Sequence, residues 1–316
     1  MLSRSAENLY WMSRYIERAE NAARVLDVSY RMSLLPAAAP KEALYWKPAI
    51  EIGNDPATFK AQYGETSQSN VMRFTVLNQE NPSSIYSCIR SARENARAER
   101  TRISTEMWEV LNETWLSLAD LDAAKLSAWG VRPFFDWVKA RSHLFRGVTV
   151  GTALQDDSFH FERIGTFIER ADSTARILDV KYHVLLPRSE DVGGAVDYYQ
   201  WGALLRSVSA FRAYRTIYRR EITPWRVAEM LILNAAFPRS LSACLSQVAH
   251  TLQLLARSKR LECARLAGEL FSDLRYGRID DIFQRGLHEF LTDFILRNNR
   301  LAGALQKDFM MSYVVE

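Results

Sequence analysis

The sequence predicts an all-α fold, a helical bundle made of two tandem diverged repeats related by a pseudo-twofold axis. Three observations predict it. Residues 15–30, YIERAENAARVLDVSY, return at 167–182 as FIERADSTARILDVKY, an offset of 152 residues. A second pair follows in the same order at nearly the same offset. LNQENPSSIYSCI from Leu77 matches LNAAFPRSLSACL from Leu233, aligning Asn78 with Asn234, Pro82 with Pro238 and Cys88 with Cys244. Finally, no convincing run alternates apolar and polar residues as a half-buried strand would. Self-similarity at a fixed spacing marks an internal duplication. Residues 1–150 are therefore expected to form the first repeat and 151–316 the second, packed as one globular unit with a seam near 151–157.

Each repeat should open on a long helix. Leu9, Met12, Ile16, Ala19, Ala23, Leu26 and Tyr30 step by three and four, the spacing that gathers apolar side chains on one helical face. Phe161, Ile164, Ile168, Ala171, Ala175, Leu178 and Tyr182 repeat the pattern. Pro36 and Pro187 are expected to stop the two helices. The small alanines allow close approach, which would place these helices near the pseudo-twofold axis. Short helices or turns are expected over 42–77 and 196–234, where Trp46 aligns with Trp201 and Tyr63 with Tyr218. Long helical patterns run over 83–118 and 239–272, each entered through a proline. A further helix is expected in each half, over 132–150 and 279–308.

Composition narrows the function. The chain has 316 residues, 48% of them hydrophobic and 25% charged, enough for a sizeable core. No run of about eighteen apolar residues occurs, and the start, MLSRSAENLYWMSRY, lacks an apolar signal-peptide core. Cys88, Cys244 and Cys263 form an odd, scattered set without a CxxC, which suits a reducing cytoplasm. A net charge of +4 is too mild for a nucleic-acid arm, so neither nucleic acid nor membrane is an expected partner.

Beside the apolar face runs a second stripe. Glu17, Glu20, Arg24 and Asp27 share one side of the first helix, and Glu169, Asp172, Arg176 and Asp179 keep both spacing and sign in the second. Such stripes either form ion pairs flanking the core or wall a cleft at the symmetry axis. A four-arginine stripe, Arg90, Arg93, Arg97 and Arg100, occurs in the first repeat alone; Ser246, Ala249, Gln253 and Ala256 stand at the aligned places. Like charges so spaced repel unless carboxylates or an anion face them. Arg93, Arg97, Arg100, Arg24 and Arg176 are accordingly the candidate ligand-binding residues, with Glu17 and Glu169 the weak candidates for a catalytic base.

Familiar catalytic and metal signatures are missing. None of His143, His160, His183, His250 and His288 follows a glutamate at the three-residue spacing of di-iron bundles. No HExxH, GxSxG, Walker A or GxGxxG segment is present. The expectation is therefore no metal and no cofactor. Asp156-Asp157 reads as the cap of the second long helix.

These residues resemble the alpha-E domain family, an all-helical bacterial family. The resemblance covers essentially the whole chain and is carried by LSRSAENLYWMSRYIERAE at 2–20, NPSSIYSCIRSARENARAERTRISTEMWEVLN at 81–112, RSHLFRGVTVGT at 141–152, FIERAD at 167–172 and ITPWRVAEMLILNAAFPRSL at 222–241. It implies a context: an ATP-grasp-type carboxylate–amine ligase as neighbour or fusion partner, and often a transglutaminase-like peptidase. It implies no catalytic residues. The expected function is a non-catalytic binding and scaffold partner of such a ligase in peptide synthesis or processing, with a peptide as ligand. The competing expectation is an enzyme in which Glu17 or Glu169 acts as general base beside an arginine-bound anion. Self-association is left open by the sequence.

Overall fold

The computed structural model describes residues 1–34, 42–52, 54–184, 194–257 and 259–311, and among these the regular structure is entirely helical. In the N-terminal half, α1 (Ser3–Ser33) is followed by α2 (Glu42–Glu51), α3 (Pro56–Tyr63), α4 (Gln68–Met72), a π-helical turn at Arg73–Leu77, α5 (Ile85–Ala98), α6 (Thr105–Ala119), α7 (Ala123–Trp129) and α8 (Val131–Thr152). The remainder comprises α9 (Asp157–Val184), α10 (Ala195–Ser207), α11 (Phe211–Tyr218), α12 (Pro224–Ile232), α13 (Leu241–Ala256), α14 (Glu262–Tyr276), α15 (Ile279–Arg285) and α16 (Leu287–Phe309).

The two long helices pack on each other along their lengths. α5 and α8 cover α1, and α13 and α16 cover α9. α6 closes over α5 and α8 as α14 closes over α13 and α16, while α2 and α10 each touch both α1 and α9. Burial follows the apolar spacing: Leu9, Met12, Ile16, Ala19, Ala23 and Leu26 on α1, and Phe161, Ile164, Ile168, Ala171, Ala175 and Leu178 on α9, all lie in one continuous core. Close approach is sharpest at Gly165, where a Cβ would collide with the backbone carbonyl of Tyr10.

Matching loops launch α5 and α13. Asn78 Oδ1 accepts from the Glu80 N–H at 2.8 Å, and Asn234 Oδ1 from the Ala236 N–H at 2.9 Å. Ser84 and Ser240 then cap the helices through the Ser87 and Ala243 N–H groups. Cys88 and Cys244 are buried behind the two prolines as free thiols, and burial pushes both thiols up to about 12. Asp156 caps α9 through the Ser158 and Phe159 N–H groups, as expected.

Three expected long helices are divided. The 83–118 pattern breaks after Ala98 and restarts at Thr105, where the Ser104 hydroxyl accepts from the Met107 N–H. The 239–272 pattern breaks at Arg257, whose φ of 53° leaves the helical region. Gly286, with φ of 100°, divides the 279–308 pattern into α15 and α16. Pro36 and Pro187 lie outside the described residues. No helix among the described residues is long and apolar enough to cross a membrane.

Candidate functional site

The acidic stripe of α1 is sealed in. Helices cover α1 on both its apolar and its charged sides, so Glu17, Glu20, Arg24 and Asp27 are each no more than 1% exposed. A carboxylate taken out of water in this way must be matched by cations or take up a proton. These are matched.

Glu17 receives Arg170 at 3.0 and 2.8 Å through Nε and Nη2, Arg146 at 2.8 Å and Arg239 at 3.1 Å. Glu20 receives Arg24 at 2.8 Å, Arg146 at 2.6 Å, the Ser142 hydroxyl at 2.7 Å and a further hydrogen bond from Arg239. Arg239 also donates to Asn21 Oδ1 at 3.1 Å. On α9, Glu169 receives Arg18 at 2.6 and 3.1 Å and Arg14 at 2.7 Å. The two-pronged contacts, Arg170 on Glu17 and Arg18 on Glu169, add geometric specificity to charge-assisted hydrogen bonds.

The clasp is reciprocal. Glu17 and Arg18 are neighbours in sequence, as are Glu169 and Arg170. Arg18 grips Glu169, and Arg170 grips Glu17. Each Glu-Arg pair gives its acid and its base to the opposite helix.

Electrostatics follow from this geometry. Burial alone would push the Glu169 carboxyl up, but the Arg14 and Arg18 guanidiniums overcome it and hold it at about 2. Burial works the same way on Glu17, and Arg170, Arg146 and Arg239 bring it below the usual range. Glu20 is held well below that range, Arg239 being the strongest opponent of its burial. All three are ionised and ringed by donors. Through these arginines they tie α1, α8, α9 and the loop before α13 together.

The residues singled out from sequence divide into three places. Arg24 lies inside the clasp, reaching the Ser207 carbonyl and the Ser209 hydroxyl beside Glu20. Arg176 is half-buried, paired with Asp172 at 2.7 Å at the edge of a cavity between α1, α2 and α9. The stripe on α5 stands apart from the clasp. Arg93 donates to Asn112 at 3.0 Å and pairs with Glu94 at 2.6 Å; Arg97, 66% exposed, pairs with Glu94 at 3.3 Å. Arg93 and Arg100 both lie over the Trp108 ring, 5.4 and 4.6 Å from its centre. Among the described residues no three of His, Cys, Asp or Glu come together as metal ligands would.

Sequence reasoning missed Arg14, Arg18, Arg146, Arg170 and Arg239. Following a single helical face discards the residue next to each glutamate, and so discards Arg18 and Arg170. The signal was there: the tripeptide Ile-Glu-Arg recurs unchanged at 16–18 and 168–170. Arg146 and Arg239 carry no comparable mark.

No curated protein and no solved structure matches the chain. A family profile does, from residue 1 to residue 310, and its family is described as a predicted alpha-helical domain with a conserved ER motif. With reciprocal Glu-Arg pairs at the centre of an all-helical fold, the chain belongs to the Alpha-E family.

Proposed function

We propose that this protein is a non-catalytic binding and scaffold subunit that works with an ATP-grasp-type carboxylate–amine ligase in peptide synthesis or processing. The observation that carries the non-catalytic part is the state of the central carboxylates. Glu17, Glu20 and Glu169 are buried, ionised and each gripped by two or three arginines, so their carboxyls are held below the usual range, whereas a general base needs a pKa near the working pH. Partnership with the ligase rests on the family resemblance and the context it implies.

The fold reading belongs to the same proposal: two like helical units, 1–150 and 151–316, about a pseudo-twofold axis between α1 and α9. Its support is the matched neighbours of α1 and α9, the matched Asn–Pro–Ser loops and the exchanged Glu-Arg pairs. A scaffold of this design holds its shape through a rigid central clasp and leaves outer helices, such as α5 with its arginines, for partners.

The test is co-purification and turnover. Tagged protein expressed with an ATP-grasp ligase encoded beside it should elute with that ligase as one species, and Glu169→Gln should leave ligase turnover intact under conditions where the fold persists. Turnover of a peptide substrate by the isolated protein, abolished by Glu169→Gln without loss of fold, would overturn the proposal.

A further inference from the structure

The cavity between α1, α2 and α9 has Arg18, Asn21, Glu169, Asp172, Ser173 and Arg176 among its lining residues. Its volume, as room for the centres of water-sized molecules, is about 50 Å³. One water needs roughly 10–15 Å³ on that measure, so the space suits a small polar head group.

Sequence alignment says which group. Under the correspondence of Pro82 with Pro238, Ser83 stands where the second half has Arg239. The Arg239 guanidinium contacts Glu17, Glu20 and Asn21. At the 152-residue offset, the equivalents of those three are Glu169, Asp172 and Ser173. All three line the cavity, and so does Ser83. Arg239 of the second half thus sits on two acids and a polar side chain of α1, whereas the equivalent receptors on α9 meet only Ser83 of the first half, too short to reach them.

Two further facts agree. The Ser173 hydroxyl and the Asn21 amide nitrogen, on side chains 6% and 5% exposed, have no hydrogen-bond partner among the described residues. Such groups cost stability unless something pairs with them. Charge also differs between the two places. Four arginines (Arg24, Arg146, Arg170 and Arg239) surround Glu17 and Glu20, whereas three (Arg14, Arg18 and Arg176) surround Glu169 and Asp172. One more cation gives the second place the same number of cations per acid as the first.

We propose that this cavity binds the guanidinium or alkylammonium group of a small ligand or peptide side chain, seated on Glu169, Asp172 and Ser173 as Arg239 is seated on Glu17, Glu20 and Asn21. The inference rests on the twofold correspondence proposed above. Ser173 accepts from the cation, and Asn21 is left to donate to an oxygen of the same ligand.

Agmatine at millimolar concentration, far below denaturing levels of guanidinium, is the probe, with phosphate and glutarate as anionic counterparts. Thermal melts of the intact protein should show a saturable rise with agmatine and none with the anions, since binding to the folded state alone raises stability. Ser83→Arg should raise the melting temperature by itself and abolish the agmatine response. Asp172→Asn, which keeps the shape of a side chain 16% exposed, should weaken agmatine at least tenfold in protein that retains the wild-type helical circular dichroism. Absence of a saturable agmatine effect, a stronger effect of the anions, or an unchanged agmatine response in Asp172→Asn would overturn the proposal. If Ser83→Arg stabilises while agmatine is silent, the ligand is wrong and the correspondence survives. If Ser83→Arg destabilises or fails to fold while Asp172→Asn leaves agmatine binding unchanged, the correspondence fails as well.

Discussion

Replacing Glu169 by glutamine keeps its shape and removes the charge that Arg14 and Arg18 share. The loss can be worked from the clasp itself. The carboxyl is held at about 2, against a usual 4.5. At about 1.4 kcal/mol per unit, that shift corresponds to roughly 3 kcal/mol favouring the ionised folded state at neutral pH. The cost of leaving a buried ion pair half-made is of the same order, about 3–5 kcal/mol. Because the folded carboxyl is the stronger acid, its contribution is complete above the unfolded value and is lost as pH falls from about 4.5 toward about 2. Urea unfolding followed by helical circular dichroism at pH 7 should place Glu169→Gln about 3 kcal/mol below wild type, and the gap should close on titration below pH 4.5. Glu262→Gln, which removes half of an exposed pair with Arg265, is the control and should unfold with wild type. A Glu169→Gln protein as stable as wild type at pH 7, or a gap that persists unchanged into strong acid, would refute the argument that this carboxylate is a buried, ionised clasp.

Glu162 should behave in the opposite sense. Burial and the nearby charge of Asp156 push its carboxyl up to about 8, and one of its oxygens has no hydrogen-bond partner among the described residues. Its folded form holds a proton that the unfolded chain releases, so wild-type stability should fall as pH rises from about 4.5 through about 8, and Glu162→Gln should cancel that part of the loss, as pH-dependent melts would reveal. Gly165→Ala should cost about 1–3 kcal/mol by overpacking, because its methyl meets the Tyr10 backbone; denaturant unfolding measures this directly. Arg97→Ala, at an exposed ion pair, should change stability by less than about 0.5 kcal/mol, so any weakened binding to the ligase in a pull-down reports on an interface and not on folding.

The repeated apolar faces made the buried faces of the two long helices legible, and the alanines on them forecast the packing of α1 on α9. Matching Asn–Pro–Ser segments gave away the loops that launch α5 and α13. Breaks after Ala98 and at Arg257 were harder, because apolar spacing continues across both; α6 restarts on a local cap at Ser104, and α13 ends at Arg257, whose φ is positive. At the site, the acids were found and most of their partners were not. Helical periodicity links residues on one face of one helix, whereas Glu17 is satisfied from α8, α9 and the loop before α13. Pairing between helices is a property of the packed bundle, and only the recurring Ile-Glu-Arg carried any trace of it.

The reciprocal clasp is the centre of this account, and a double-mutant cycle tests it most directly. Glu17→Gln, Arg18→Met, Glu169→Gln and Arg170→Met would be made singly and in pairs, and their unfolding free energies compared. Groups in direct contact typically couple by about 0.5–3 kcal/mol, whereas independent ones add. The account predicts coupling of about 1–3 kcal/mol for Arg18 with Glu169 and for Glu17 with Arg170, and near-additivity for Glu17 with Arg18 despite their adjacency in sequence. Additivity of both cross-helix pairs, or coupling confined to the sequence neighbours, would contradict it.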